Sequence, residues 1–280
     1  MTAAEPVSAK GVILCADDFC VNASASLGIA KLATAGRISA TSVMVLSPRW
    51  ARDVALLQDL RGQIDVGLHL DWTSEFARAA GHGRSLSAAM LKAVLGGFEP
   101  LAARAVIERQ LDLFEAQWKA APDFIDGHQH VQQFAGIREA LLHVMTRRYA
   151  SQAGGLPYLR ISRAPRATAD LKTRVISAMG ASAITNIAAN AGVTCASALL
   201  GIYDFAGNEA RYAHLMQGWL RAAPAGAIIM CHPAQAGEPE DVIGMARAQE
   251  FAYLMGGEFP AALERARVRL VRGALARIPQ

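Results

Sequence analysis

Short uncharged runs alternate with amphipathic stretches along the whole chain. Residues 12–16 (VILCA) are apolar and bounded by Lys10-Gly11 and Asp17, the pattern of a strand buried on both faces. Asn22 and Ser24 are N-cap types. Over residues 25–35, Ala25, Gly28, Ile29, Leu32 and Ala35 share one helical stripe that Gly36 ends. Residues 39–46 predict a second strand, 48–60 a helix, and 64–70 (IDVGLHL) a third strand. This βαβαβ order argues for a parallel sheet or barrel. Residues 71–100 break the rhythm with Gly81, Gly83, Gly96 and Gly97 around a short helix over 85–94, which predicts a lid-like insertion or pocket wall. Beyond it the pattern predicts helix 101–120, strand 123–126, helix 137–149 and strand 156–162. Helices then fill much of 168–191, before strand 194–199, helix 209–222 and strand 225–231. Helix 238–255, with Pro239 in its first turn, and strand 268–271 close the chain. About seven or eight βα units follow one another without a linker or repeat. The expected fold is α/β: a single deformed (β/α) barrel, TIM-barrel-like, over residues 1–280.

Composition narrows the function. A chain of 280 residues that is 52% hydrophobic buries a substantial core. The net charge of +4 is mild and the basic residues are scattered, which argues against a nucleic-acid surface. The four cysteines, Cys15, Cys20, Cys195 and Cys231, form no CxxC pair, so neither a zinc knuckle nor a redox motif is indicated. Residues 1–6 lack a basic n-region and an apolar h-region, and a cytoplasmic location is expected. Residues 175–203 carry no charge. That is long enough for a membrane span, but Asn186, Asn190, Gly180 and Gly192 make it too polar. It is expected to pack on the core or on a second copy, giving a homodimer; membrane contact is the less favoured alternative.

Strand ends hold the candidate chemistry: Asp17 and Asp18, His69, His128 and His130, Arg160 and His232. In a barrel these ends converge on one mouth. Asp17 could be no more than a helix cap, and Asp18 merely solvated. Four histidines at three strand ends are harder to explain by packing, because buried imidazoles need partners; His143 and His214, in predicted helices, carry no such implication. One Asp with two His can hold zinc or another divalent ion and leave positions open to water. An ion-activated water, a second carboxylate as base, a histidine for the leaving group and an arginine for the base make up metal-assisted hydrolysis of an amide or ester. Adjacent residues of a strand point in opposite directions, so Asp17 and Asp18 are expected to face apart and do different jobs.

The segments Ala16-Asp17-Asp18-Phe19, Gly67-Leu68-His69-Leu70, Asp126-Gly127-His128-Gln129-His130-Val131 and Cys231-His232-Pro233 resemble, in order, the motifs of the YdjC-like carbohydrate deacetylases. That family includes diacetylchitooligosaccharide deacetylases and the hopanoid-associated HpnK type. Gly28-Ile29 and residues 36–42 resemble the family around its first helix. The resemblance implies a deformed barrel that removes acetyl groups from N-acetylated amino sugars, oligosaccharide or lipid-linked, with one divalent ion. Magnesium or zinc is implied first, then manganese or cobalt. Carried over by position, Asp18, His69 and His128 match the metal ligands, Asp17 the general base, His232 the leaving-group histidine and Arg160 the arginine beside the base. His130 matches a histidine behind the ligands or beside the substrate. Trp72, Tyr158, Tyr203 and Phe205, near strand ends, are candidates either for stacking on a sugar ring or for routine core and rim positions. Two positions depart from the pattern. Cys20 stands where the family has glycine, which puts that loop's shape in doubt, and Gln132 replaces the last histidine of HxHVH and is not assigned to the metal.

Two rivals remain. An amidohydrolase or metal phosphoesterase barrel would use His128 and His130 as paired ligands, though amidohydrolases carry HxH on the first strand, which here ends in Asp17-Asp18. A non-catalytic sugar-binding barrel would bind no divalent ion.

Overall fold

The computed structural model describes residues 9–152, 154–165 and 170–273. The opening residues read for a targeting signal, and Thr168 at the head of the predicted helical stretch, lie outside the described residues. In chain order the elements are β1 (Lys10–Phe19), α1 (Ala23–Thr34), β2 (Ala40–Val43), α2 (Trp50–Asp53), β3 (Asp65–Leu70), α3 (Glu75–Ala79), α4 (Leu86–Val94), α5 (Pro100–Trp118), β4 (Phe124–Gly127), α6 (Ile137–Tyr149), β5 (Tyr158–Leu159), α7 (Leu171–Ala178), α8 (Ala181–Asn190), β6 (Leu199–Leu200), α9 (Glu209–Ala222), β7 (Ile228–Cys231), α10 (Gly244–Met255), α11 (Glu258–Ala266) and β8 (Val268–Leu270). Two 3₁₀ segments, Val54–Leu60 and His128–Gln133, lie between them.

Every strand pairing is parallel, in the order β5-β4-β3-β2-β1-β7-β6. The sheet curls until its ends meet: the Leu159 N–H donates to the Thr194 carbonyl at 2.9 Å, and the Ala196 N–H donates to the Leu159 carbonyl at 2.8 Å. β8 pairs with the start of β1, over Lys10–Val12. The result is the expected deformed (β/α) barrel.

Local chemistry explains most element ends. The Asn22 side chain accepts from the Ala25 N–H and starts α1. Glu99 caps α5, with Pro100 in its first turn. The helix predicted over 48–60 is instead the short α2 and a 3₁₀ segment. Its buried residues Val54, Leu57 and Leu60 recur every third position, the period of a 3₁₀ turn. The helix predicted from 238 begins at Gly244, because Asp241 folds the chain into a turn: its carboxylate accepts from the Ile243 N–H and its carbonyl from the Gly244 N–H. The uncharged stretch forms α7 in part, α8 and the lead into β6, and no described helix is long and apolar enough to cross a membrane.

Strand parity divides the apolar residues into two cores. Val12, Leu14 and Ala16 face the helices, with Val66, Leu68, Leu70, Ile125, Leu159 and Ile229. Ile13 and Cys15 face the barrel interior, with Phe124, Tyr158, Ile228 and Met230. Two residues further along each inward-facing row stand Asp17, Asp126, Arg160 and His232. His69 ends a similar row, in which Gly67 leaves room for the Phe124 ring: a Cβ on Gly67 would lie 2.5 Å from that ring.

The opposite end of the barrel is tied by one buried carboxylate. Asp65 accepts from Arg272 Nε at 2.8 Å, the Tyr158 hydroxyl at 3.0 Å and the Gly273 N–H at 2.5 Å. Removing it leaves those donors without their acceptor. Asp65→Ala should lower the unfolding free energy by about 3 kcal/mol, read from urea denaturation.

Candidate active site

Both aspartates reach the same cavity, contrary to the expectation that alternation would separate them. The β1–β2 register slips between Ala16 and Phe19, and Asp18 takes a left-handed backbone with φ of 64°, as in a β-bulge. Asp17 keeps the inward parity of Ile13 and Cys15, and the bulge turns Asp18 into the mouth as well. Cys20, where the resemblance expects glycine, takes φ of 78°. The glycine-type loop shape is therefore kept without glycine, at a cost of about 1–2 kcal/mol. Ser26 and Ser47 hold it: the Cys20 N–H donates to Ser26 Oγ, and Ser47 Oγ donates to the Cys20 carbonyl at 2.7 Å.

Asp18, His69 and His128 come from three strand ends and present ligand atoms that all lie within 4.8 Å of one another. His69 Nε2 lies 3.3 Å and His128 Nδ1 3.2 Å from the same oxygen, Asp18 Oδ1. The other face of His69 is fixed: Nδ1 donates to Asp126 Oδ1 at 2.6 Å, with Ser42 Oγ at 3.0 Å. This leaves Nε2 for the cluster, as in carboxylate–histidine–metal triads. Burial works to lower the His69 pKa, but Asp126, ahead of Asp18, raises it to about 10, so this setting favours positive charge at Nε2. One carboxylate oxygen and two imidazole nitrogens, that of His69 oriented from behind by Asp126, fit a divalent ion.

Asp17 has separate partners. Arg160 Nη1 donates to its Oδ1 at 2.6 Å and stands 2.9 Å from Asp126 Oδ2. Burial acts to raise the Asp17 pKa, but Arg160 overcomes it and brings it down to about 2. His232 Nε2 lies 3.9 Å from the other oxygen, Asp17 Oδ2. Burial lowers the His232 pKa to about 4, so its ring is neutral at neutral pH. Its Nδ1 has no hydrogen-bond partner among the described residues. Beneath these groups the Cys15 thiol donates to Asp17, and burial pushes its pKa well up, so it stays protonated.

These groups open into a cavity of about 1510 Å³ that His130, Tyr203 and Phe205 also line. His130 sits in the 3₁₀ segment after β4, where Gln129 and His130 are both left-handed, with φ of 53° and 64°. Tyr203 spends its hydroxyl on Glu250 Oε1 at 2.7 Å, and Phe205 meets the His232 ring edge-on at 5.2 Å. Trp72 is not brought there. It is buried between His82 and Phe98 under the 71–100 insertion, which instead offers the cavity Glu75, Leu86 and Met90.

Four contributors carry no role in the sequence reading. Asp126 was legible, since it precedes His128 by two positions and so shares its strand face. Ser42 has the same parity as Ala40. Arg247 and Glu250 lie on α10 and had only a weak signal: they share the helix face that buries Tyr253 and Leu254. Arg247 Nη2 donates to Asp18 Oδ2 and Nε to Asp241 Oδ2, both at 2.7 Å, so Asp18 turns its other oxygen to the histidines. Glu250 accepts the His232 N–H at 2.5 Å, and burial raises its pKa to about 7.

Among solved structures, the chain is similar to one described as a candidate cellobiose-phosphate cleavage protein from Enterococcus faecalis V583. The TM-score is 0.71 at 19% identity, with 95% of this chain and 98% of that chain covered. It is also similar to the Xyl-CE4 domain of a multidomain xylanase from the hindgut metagenome of Trinervitermes trinervoides. There the TM-score is 0.53 at 9% identity, over 95% and 89% of the two chains. At such identities these likenesses show the fold alone. No curated protein matches the sequence. The family described as YdjC-like protein matches residues 11–265. That match spans most of the chain, the four strand-end motifs included, and the protein belongs to the YdjC-like family.

Proposed function

We propose that this protein is a metal-dependent hydrolase that removes the acetyl group from an N-acetylated amino sugar. One observation carries the reading: two imidazole nitrogens converge on a single Asp18 oxygen beside a second carboxylate, Asp17, that an arginine keeps ionised. In this reading Asp18, His69 and His128 hold the ion, magnesium or zinc before manganese or cobalt. A divalent ion there supplies Lewis-acid polarisation and lowers the pKa of water. Asp17 accepts the proton of the attacking water on Oδ2, the oxygen Arg160 leaves open. Water oxygen bonds to the acetyl carbon and the carbon–nitrogen bond breaks. The leaving nitrogen needs a proton. His232 is neutral at rest, so it takes one up during turnover, with Asp17 Oδ2 3.9 Å away as its source, before passing it on.

The cavity's lining favours one substrate class. Leu86, Met90, Leu171, Val175, Met179 and Val242 line it among charged residues such as Glu75, Lys172 and Asp241, and Leu171 and Val242 are largely exposed. That apolar share of the lining suits an amino sugar carrying a lipid better than a purely polar oligosaccharide. A screen for acetate release from lipid-linked N-acetylglucosamine and from chitooligosaccharides, with the protein loaded with each metal in turn, should favour the lipid-linked substrate in kcat/KM. Release of phosphate from aryl phosphates with no acetate from any sugar would overturn the deacetylase reading.

The metal assignment has its own test. His69→Ala should lose the bound ion by direct metal analysis, whereas His143→Ala, on the exposed face of α6, should keep it. A chelator should abolish turnover, and full activity in metal-free protein would refute the assignment.

The two aspartates should part in the same assay. Asp17→Asn should keep the metal and lose about 10²–10⁴-fold in kcat, the worth of a general base. Asp18→Asn should weaken metal affinity, with partial recovery in excess metal. Metal loss in Asp17→Asn and retention in Asp18→Asn would mean the roles are reversed.

A further inference from the structure

Gln132, where the family pattern has histidine, sits behind the site, fully buried. Its Nε2 donates to the Arg160 carbonyl at 3.0 Å and to Ser162 Oγ at 3.3 Å. The Arg160 carbonyl can only accept, so the amide cannot be turned round: its oxygen would then face another oxygen. The amide is also closely packed, since a Cβ on Gly127 would lie 2.8 Å from Gln132 Oε1. The Ser162 hydroxyl therefore accepts from Gln132, and His130 Nδ1, at 3.0 Å, is the one acceptor among the described residues for its own proton, which would be stranded in this buried place if Nδ1 carried a hydrogen. A ring nitrogen that accepts carries no hydrogen, and in the neutral ring the hydrogen must then lie on Nε2. That nitrogen has no partner among the described residues, and His130 lines the cavity that holds Asp17, Asp18, His69 and His128.

We propose that Gln132 and Ser162 are positioning residues that lock His130 as the Nε2–H tautomer, so that it offers the cavity a fixed hydrogen-bond donor for an oxygen of the substrate. Only a group with a lone pair to give, a carbonyl, hydroxyl or ether oxygen, fits that donor. The lock follows from the direction of two hydrogen bonds. That the oxygen belongs to an N-acetylated sugar rests on the deacetylase reading above.

The relay can be released by one substitution. A thioether at position 132 cannot donate, so in Gln132→Met the Ser162 hydroxyl is no longer held as an acceptor and His130 loses its fixed tautomer. Nitrogen NMR of the ¹⁵N-histidine-labelled, metal-loaded protein at about pH 8, above the ordinary histidine pKa, reads the tautomer directly. His130 should show Nε2–H in the unsubstituted protein and a mixture in Gln132→Met and in Ser162→Ala. The unsubstituted protein alone decides the matter if either variant fails to fold: an Nδ1–H signal there overturns the proposal, as does an unchanged tautomer in folded Gln132→Met. Kinetics give the second readout, on whichever acetylated sugar releases acetate. His130→Gln, whose amide donates from nearly the position of Nε2, should keep KM. His130→Glu, an acceptor of similar reach, should raise KM about tenfold, the worth of one hydrogen bond, and equal effects of the two would overturn the donor role. If the tautomer behaves as stated while no sugar releases acetate, the deacetylase reading fails and the lock stands.

Discussion

A guanidinium buried inside the barrel is the constraint on which the site depends. Arg160 is only 1% exposed, and a charge so placed is tolerated only when paired and hydrogen-bonded. Asp17 and Asp126 supply the pairing from the two strand ends that face it. Asp126 in turn accepts from His69 Nδ1, which sets the free nitrogen of that ring toward Asp18. The ionisation of the candidate base and the tautomer of a candidate ligand thus follow from one buried cation. Replacing this network with apolar side chains could stabilise the barrel, but it would leave nothing at the mouth to hold an ion or accept a proton.

Asp18 meets that network only through His69 and depends on a second arginine. Regular alternation along β1 would have sent its carboxylate into the helix layer. The left-handed backbone at Asp18 brings it into the mouth, where Arg247 from α10 meets one oxygen and the two histidines meet the other. Two carboxylates adjacent in sequence are in this way given different electrostatic partners from opposite parts of the chain. Arg247 also grips Asp241, so the turn that ends the 238–243 wall of the cavity is tied to the orientation of Asp18.

Strand parity made much of this legible in the sequence. The apolar runs located the strands, and Asp17, His69, His128, Arg160 and His232 stand where those runs end, which is why residue type and position sufficed to group them. Three things escaped. The bulge at Asp18 leaves no mark in the pattern, because aspartate suits a turn, a cap or a strand end equally well. Arg247 and Glu250 come from a helix, where a buried charge looks like any polar residue on the solvent face. Trp72 read as a rim aromatic because it follows β3 directly, but the insertion folds over it and makes it core.

The departures at Cys20 and Gln132 have different physical meanings. At Cys20 the backbone keeps the shape a glycine would take, and two serines hold it there, so the change costs stability and leaves the loop's geometry alone. At Gln132 the chemistry itself changes. A histidine can donate or accept at either nitrogen as its tautomer shifts, whereas an amide held against the Arg160 carbonyl has one direction only. A relay that begins at such an amide has its polarity fixed before any ligand arrives. Held in that way, His130 adds to a cavity floored by Asp17 and Asp18 an N–H for substrate oxygen whose direction is set by the protein and not by the ligand.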